Sequence, residues 1–517
     1  MDTMKILWVD DEIEMLKPHI IFLNTKGYEV EEATNGHDAL DLIRDNHYDV
    51  VFLDEHMPGI TGLQTLPLIK ELDSSLPVVM VTKSEEENVM EEALGSKIAD
   101  YLIKPVRPAQ ILLCLKKVLD NEKLVSQNVT TRYRESFMQI SQEIGDCRDI
   151  EDWKRLFVKL EQWELQLSDS KDDAMDEILS MQKREANQAF FKFVQNNYHD
   201  WHDSGIQNFS LNSVNAISKG VFPILDQGKK VFMLVIDNLR FDHWLALKEL
   251  ILMNYSVVKE AVCCSILPTA TMYARNSLFA GLTPNQIATM YPDCWVGEEE
   301  DGFKNLHEET LLMRQCERYR RKEKVQFIKA SNAHTGGKVM DHYAKITQAD
   351  FSVLVINFID MISHARTDMD MIKELAGDEA AFRSLAKSWF EHSQLKGLLE
   401  KLASEDIHVV ITSDHGTTRV KNPVKIQGER NTNTNLRYKL GRNLKYPSKG
   451  VFEVGRPNDI GLPHPQVSTK YIFTKPYDYF VYKNNYNQFS ATYFDTFQHG
   501  GISMEEMLIP FVVLKPK

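Results

Sequence analysis

The sequence predicts an α/β protein in which two strand-and-helix regions flank a helical one, and three observations carry that expectation. Strand and helix patterns alternate from residue 1 to 121. From 206 to 517, several β-rich apolar runs end in an acid or an imidazole. Between them, 122–205 contains no proline, and glycine only at Gly145 and Gly205. A chain of 517 residues is too long for one core, so two or three domains are expected.

In the first region the strands are K-I-L-W-V at 5–9, Y-E-V-E-E-A at 28–33, V-V-F-L at 50–53, V-V-M-V at 78–81 and Y-L-I at 101–103. Alternation with helices predicts a doubly wound parallel sheet whose site lies at the carboxyl ends of its strands. Asp10 and Asp11 follow the first strand and Asp54 follows the third. Three carboxylates in one crevice repel each other unless a cation joins them, and hard oxygen ligands favour Mg²⁺. Lys104 and Thr82, after the fifth and fourth strands, are placed to hold the oxygens of a phosphoryl group on Asp54.

The motifs D-D-E, L-D-x-x-M-P-G, V-T-K and Y-L-I-K-P in this stretch resemble those of the receiver domain of two-component response regulators, a flavodoxin-like fold. The resemblance implies that Asp54 is the phosphoacceptor. Asp11, Asp54 and the backbone carbonyl of His56 would ligate Mg²⁺, with Asp10 acting through water. Thr82 and Tyr101 would form the switch pair, Lys104 would contact the phosphoryl group, and a cis peptide would precede Pro105.

In the middle region Ile150, Trp153, Leu156, Phe157, Leu160, Trp163 and Leu167 fall on one helical stripe. Phe190, Phe191, Val194 and Tyr198 form another. One reading is a bundle that relays a signal or forms a dimer; the other is a spacer whose aromatics are its own core. No basic recognition helix is present, so duplex DNA binding is not expected.

The third region is organised around I-H-V-V-I-T-S-D-H-G at 407–416, a buried strand ending in Asp414 and His415. Neighbours at a strand end point in divergent directions, so the pair is expected to bridge two metal ions. V-L-V-I-N-F-I-D at 353–360 ends in Asp360, and at helical spacing His364 shares its face and can chelate one ion with it. V-F-M-L-V-I-D at 231–237 ends in Asp237. P-T-A-T at 268–271 opens a helix that exposes Thr271, and His499 precedes two glycines near the end.

That order and spacing, with D-N-L-R-F-D at 237–242 and H-G-G-I-S-M-E-E-M at 499–507, resemble the alkaline phosphatase superfamily and, within it, the PglZ domain. The resemblance implies one zinc on Asp360, His364 and His499. It implies another on Asp237, Asp414 and His415, beside the nucleophile Thr271. Thr269 is the alternative nucleophile, because only the start of the helix decides between them. A-H-T-G-G-K at 333–338 lacks the spacing of a phosphate loop and reads as a turn. The segment 417–470 is rich in Asn, Gly and Pro, and from 419 to 449 it carries nine Lys and Arg against one acid, Glu429. It reads either as a mobile solvated loop or as a phosphate-contacting lip, with Lys439 and Arg442 as candidate contacts. Arg275, one turn after Thr271, reads as a phosphate contact or as a salt-bridge partner.

The expected activity is that of a zinc-dependent phosphodiesterase on nucleotides or oligonucleotides, controlled by phosphorylation of Asp54. Two rival readings are a phosphorylation-gated interaction protein with a structural zinc site and a Mn-dependent phosphomutase. A receiver, a helical segment (122–205) and a PglZ domain in that order resemble the PorX-type response regulators associated with type IX secretion. That implies a sensor histidine kinase upstream, a sigma factor or secretion-motor component downstream, and a homodimer on phosphorylation. The formal net charge of −14 argues against a wide duplex-DNA surface. The six cysteines show no CxxC spacing, no apolar run is long enough to span a membrane, and the N-terminus lacks a signal-peptide pattern. A cytoplasmic protein is expected.

Overall fold

The computed structural model describes residues 4–73, 76–83, 98–119, 127–170, 173–330, 335–369, 373, 375–428, 433, 435–466 and 468–517. They form two compact units, one of residues 1–138 and 170–182, the other of 139–169 and 183–517. The segment 122–205 is therefore divided between them, and the helix Asp173–Asp203 contributes to both.

In the first unit β1 (Lys5–Val9), β2 (Glu29–Ala33), β3 (Val50–Asp54), β4 (Val78–Thr82) and β5 (Asp100–Ile103) form a parallel sheet in the order β2-β1-β3-β4-β5. β3 and β4 are buried along their whole length, which is why their sequences read as unbroken apolar runs instead of alternating. The strand order reverses between β1 and β3, so a crevice opens where Asp10 and Asp54 emerge. A Cβ on Gly62 would overlap the Asp54 carbonyl, so glycine there lets the next helix approach the crevice. The Lys104–Pro105 peptide is cis, as expected.

In the second unit β6 (Val231–Ile236), β7 (Tyr255–Cys264), β8 (Val325–Ala330), β9 (Phe351–Ile356), β10 (His408–Thr412) and the C-terminal strand Leu508–Pro516 make one sheet. Its order is β7, C-terminal strand, β10, β6, β9, β8. β8, β9, β6 and β10 run parallel, and the C-terminal strand is antiparallel to both its neighbours. β6 and β9 are buried throughout, between helices that cover both faces.

Both aromatic stripes of the middle segment are buried in this unit. Trp153 lies 5.5 Å from Phe190, and Phe157 lies 5.9 Å from Phe241 at the start of the helix Phe241–Ile251. These aromatics are core, not a free dimerisation face. The segment 417–470 also departs from the expected mobile loop. Tyr438–Gly441, Lys470–Thr474 and Val451–Val454 form a three-stranded antiparallel sheet, and Asn422–Ile426 pairs with Asp478–Tyr482. Ile426, Val451, Ile472 and Phe480 give this subassembly its own core. Of the turn at 333–338, His334 lies outside the described residues, as do Glu429 and Arg430.

If the aromatic stripe is core, Phe190→Ala should cost about 3–5 kcal/mol. Equilibrium urea unfolding of the intact chain measures this, and the oligomeric state should stay that of the native chain. A loss of association at unchanged stability would return the stripe to a dimer role.

Candidate active site

Asp237 is the first residue after β6, and Asp414 and His415 follow the neighbouring β10. Ligand atoms of these three residues lie within 4.8 Å of one another, and all three side chains are buried. Each carboxylate has one oxygen satisfied by the protein. Asp237 Oδ2 accepts from Arg275 Nη1 at 2.6 Å, and Asp414 Oδ1 accepts from the His415 backbone at 3.1 Å. Among the described residues Asp237 Oδ1 and Asp414 Oδ2 have no hydrogen-bond donor. Burial, then the neighbouring Asp414, pushes the Asp237 carboxyl up to about 8. Two buried acids that each keep one unsatisfied oxygen within one cluster fit a bound cation.

The second triad is more open. Asp360 and His364 sit one turn apart on the helix Phe358–Asp368, with His364 Nε2 3.4 Å from Asp360 Oδ2, so the helical spacing does bring them to one face. His499, after the short strand Thr496–Gln498, completes the cluster with Nε2 3.8 Å from Asp360 Oδ1. Burial alone would raise the Asp360 carboxyl, but the hydrogen bond from His364 holds it low.

The two triads meet through the His415 and His499 rings, stacked 4.1 Å apart at 13°. His415 Nδ1 faces the Gly416 carbonyl at 3.1 Å, and His499 Nδ1 faces the Thr269 carbonyl at the same distance. Those bonds fix the tautomer that leaves Nε2 bare for a metal. Burial lowers both imidazoles, His499 to about 3, so both stay neutral. Asp414 and His415 thus enter the same cluster, which corrects the bridging geometry expected from their adjacency; contact between triads is made by ring stacking.

Thr271 is the first residue of the helix Thr271–Ala280, and its Oγ1 lies 3.0 Å from His415 Nε2. Thr269 is buried, with Oγ1 donating to the Gly501 carbonyl at 2.9 Å and accepting from the Gly500 amide at 3.0 Å. Thr271 therefore has the available hydroxyl.

The substrate contacts expected from charge fare differently. Arg275 is 2% exposed and is enclosed by Asp237 and by Glu308, whose Oε1 lies 2.6 Å from its Nε. Of its two readings, the salt bridge is the one seen. Lys439 is 1% exposed, donates to the Asn433 carbonyl at 2.8 Å, and is lowered by burial to about 7, which removes it from the lip. Arg437 is spent on Glu506 at 2.6 Å and Arg419 on Asp495 at 2.6 Å, while Arg442 is exposed.

Residues not singled out from sequence complete the site. Asn238, at φ 63°, turns the chain after β6 and sends Nδ2 to Ser363 at 3.2 Å and Asp360 at 3.4 Å. Its place in D-N-L-R was the available signal, since Asn tolerates positive φ better than other side chains bearing a Cβ. Glu308 carried none, lying 33 residues from the arginine it binds.

In the first unit Asp10, Asp11 and Asp54 also cluster within 4.8 Å. Lys104 Nζ lies 2.8 Å from Asp10 and 2.9 Å from Asp54. Thr82 donates to Glu55 at 2.7 Å, Tyr101 is half-exposed, and the His56 side chain is exposed. Acidic oxygens without nitrogen or sulfur ligands fit Mg²⁺.

Residues 217–514 match the BREX system PglZ alkaline phosphatase-like domain, more than half of the chain. The chain belongs to the PglZ alkaline phosphatase-like family. Residues 6–116 match the response regulator receiver domain and 123–202 the PorX response regulator linker domain, which together give the PorX-type architecture. Among curated proteins, the transcriptional regulatory protein SrrA of Staphylococcus aureus is 32% identical over 115 residues, covering 22% of this chain and 47% of that protein. The chain thus spans about half the length of the curated relatives it matches. Solved structures similar to it include a CheY-like receiver protein from Methanospirillum hungatei (28% identity, TM-score 0.23, 23% of this chain and 95% of that one). Another is CheY4 of Vibrio cholerae (29%, TM-score 0.22, 23% and 100%). The chain therefore joins a segment matching the receiver domain to a PglZ alkaline phosphatase-like domain. Among the described residues no helix is long and apolar enough to cross a membrane.

Replacing Arg275 with Met leaves Asp237 buried without its cationic partner and Glu308 with Lys329 alone. It should cost about 3–5 kcal/mol of unfolding free energy in the absence of substrate. A variant of native stability that is impaired only in KM would restore the phosphate-contact role.

Proposed function

We propose that this protein is a phosphorylation-controlled phosphodiesterase that uses two zinc ions and Thr271 as nucleophile, acting on nucleotides or oligonucleotides. The observation that carries the reading is the position of Thr271 Oγ1, 3.0 Å from a nitrogen of the buried triad and at the first turn of a helix. Asp237, Asp414 and His415 would hold one zinc, and Asp360, His364 and His499 the other. Bound zinc would lower the pKa of the hydroxyl and of water and offset charge on the leaving oxygen.

Thr271 would give its hydroxyl proton to solvent and attack phosphorus in line, and the alkoxide would leave from the opposite side, taking a proton from water; a second water would then cleave the phosphothreonine ester, freeing Thr271. The helix N-terminus favours both alkoxide and phosphate. Asn305 Nδ2 donates to the Thr271 carbonyl at 3.0 Å and keeps the nucleophile's turn in place.

Two observations support diesters over monoesters. A monoester carries an additional negative charge, and Arg275, the nearest arginine in sequence, is neutralised by Asp237 and Glu308. Among the described residues no third metal-type cluster adjoins the two triads. The receiver–linker–PglZ order supports a place under a sensor histidine kinase in the control of type IX secretion, with a sigma factor or secretion-motor component as downstream partner.

On bis-p-nitrophenyl phosphate, Thr271→Ala should lower kcat by on the order of a thousandfold, and Thr269→Ala by less than about tenfold. The native enzyme should have a higher kcat/KM for this diester than for p-nitrophenyl phosphate; the reverse order would sink the diesterase reading.

For the switch, beryllofluoride with Mg²⁺ should raise the sedimentation coefficient toward that of a dimer, and Asp54→Ala should not respond. Identical sedimentation with and without the mimic removes dimerisation as the output of phosphorylation.

A further inference from the structure

Asn187 lies near the middle of the helix Asp173–Asp203, in the helical segment and outside the matched PglZ region. It is fully buried. Its Nδ2 donates to Glu505 Oε1 at 2.9 Å and Oε2 at 3.1 Å, and to the Tyr477 hydroxyl at 3.1 Å. Its Oδ1 accepts the Met504 amide at 2.8 Å. Both ends of one amide therefore grip the first turn of the short helix Met504–Met507.

That short helix is tied to both triads. The Glu506 carbonyl accepts the Gly416 amide at 3.0 Å, next to His415. The Glu506 carboxylate accepts the Gly501 amide at 2.8 Å, two residues after His499. The Met507 carbonyl accepts the Ser265 amide, and Ser265 Oγ donates to the Asp414 carbonyl, both at 2.6 Å. A Cβ on Gly416 would overlap the Glu505 carbonyl, so the backbones are already in contact. The helix has no slack with which to shift independently of the histidine turns.

We infer that Asn187 is a positioning residue through which the helical segment sets the relative placement of His415 and His499, and so the spacing of the two metal triads. The inference rests on the proposed zinc assignment but not on diester chemistry. Asn187 touches neither metal ligand nor substrate; it acts through Met504 and Glu505. Residues 173–182 of the same helix belong to the first unit.

The test is a donor–acceptor swap in the full chain. Asn187→Asp sets a carboxylate against Glu505, and adding Glu505→Gln restores a donor facing an acceptor. Zinc affinity is read by chelator competition without substrate, beside Tm and the kcat and KM for bis-p-nitrophenyl phosphate. Asn187→Asp should weaken zinc about tenfold and lower kcat with KM little changed, and the double variant should return both toward native. Native zinc affinity in Asn187→Asp overturns the inference, as does a double variant that regains Tm but not zinc affinity. If Asn187→Asp does not fold, Asn187→Ser, which keeps an acceptor for Met504 but cannot span Glu505, is judged by the same zinc criterion. Zinc binding without diester turnover in the native chain would refute the proposed activity while leaving the positioning role to stand or fall on the competition data.

Discussion

Two carboxylates, Asp237 and Asp414, are buried beside each other at the ends of adjacent parallel strands, and the surrounding structure makes that tolerable. Bringing two like charges out of water costs several kcal/mol per ion unless each is compensated. Arg275 compensates Asp237 from one side, and backbone amides compensate Asp414. Glu308 then balances Arg275 and is itself met by Lys329 at 2.8 Å. The chain of alternating charge ends there and leaves the inward oxygens to a cation. Arg275 Nε and Nη1 are thereby committed to Glu308 and Asp237.

Imidazole geometry imposes the second constraint. A neutral His offers Nε2 to a metal only if Nδ1 carries the proton, and here backbone carbonyls of Gly416 and Thr269 hold it. Those carbonyls sit on turns whose positions depend on the helix Met504–Met507 and its clamp. Metal placement is therefore a property of backbone packing as much as of ligand identity.

That dependence explains what could be read in the sequence. β1, β3 and β4 of the receiver and the runs ending at Asp237 and before Asp414 were legible because strands buried on both faces are unbroken apolar runs. Asp360 and His364 were legible because a four-residue helical spacing fixes a shared face. Direction was not legible where the outcome rests on distant partners. Arg275 and Lys439 look like phosphate contacts by charge alone, but Glu308 and the Asn433 carbonyl, far or irregular in sequence, turn them inward. The segment 417–470 is polar in composition, yet it folds because Ile426, Val451, Ile472 and Phe480 gather from well-separated strands. Asn187 had no signal, since a buried Asn between aromatic stripes reads like any helix residue. Its role exists only once Met504 and Glu505 come to it.

Both sheets place acids at the carboxyl ends of parallel strands, and they neutralise those acids with different cations. In the receiver the partner is Lys104, a point charge on a flexible stem with its side chain 13% exposed, facing Asp10 and Asp54 beside the exposed Asp11. A lysine there can turn from carboxylates to an added phosphoryl group without breaking a fork geometry. In the PglZ domain the partner is a fixed, buried arginine, so that side of the cluster cannot open. The open side is the other triad, where the His364 side chain is 60% exposed and Asp360 and His499 are partly so, with Thr271 partly exposed at the border. The buried triad is then the floor of the cluster and the His364 face its open side, by which the proposed substrate would enter. In the proposed in-line displacement the alcohol would depart away from Thr271, toward the exposed face, where the proposed nucleotide chain would have room that an enclosed pocket would deny it.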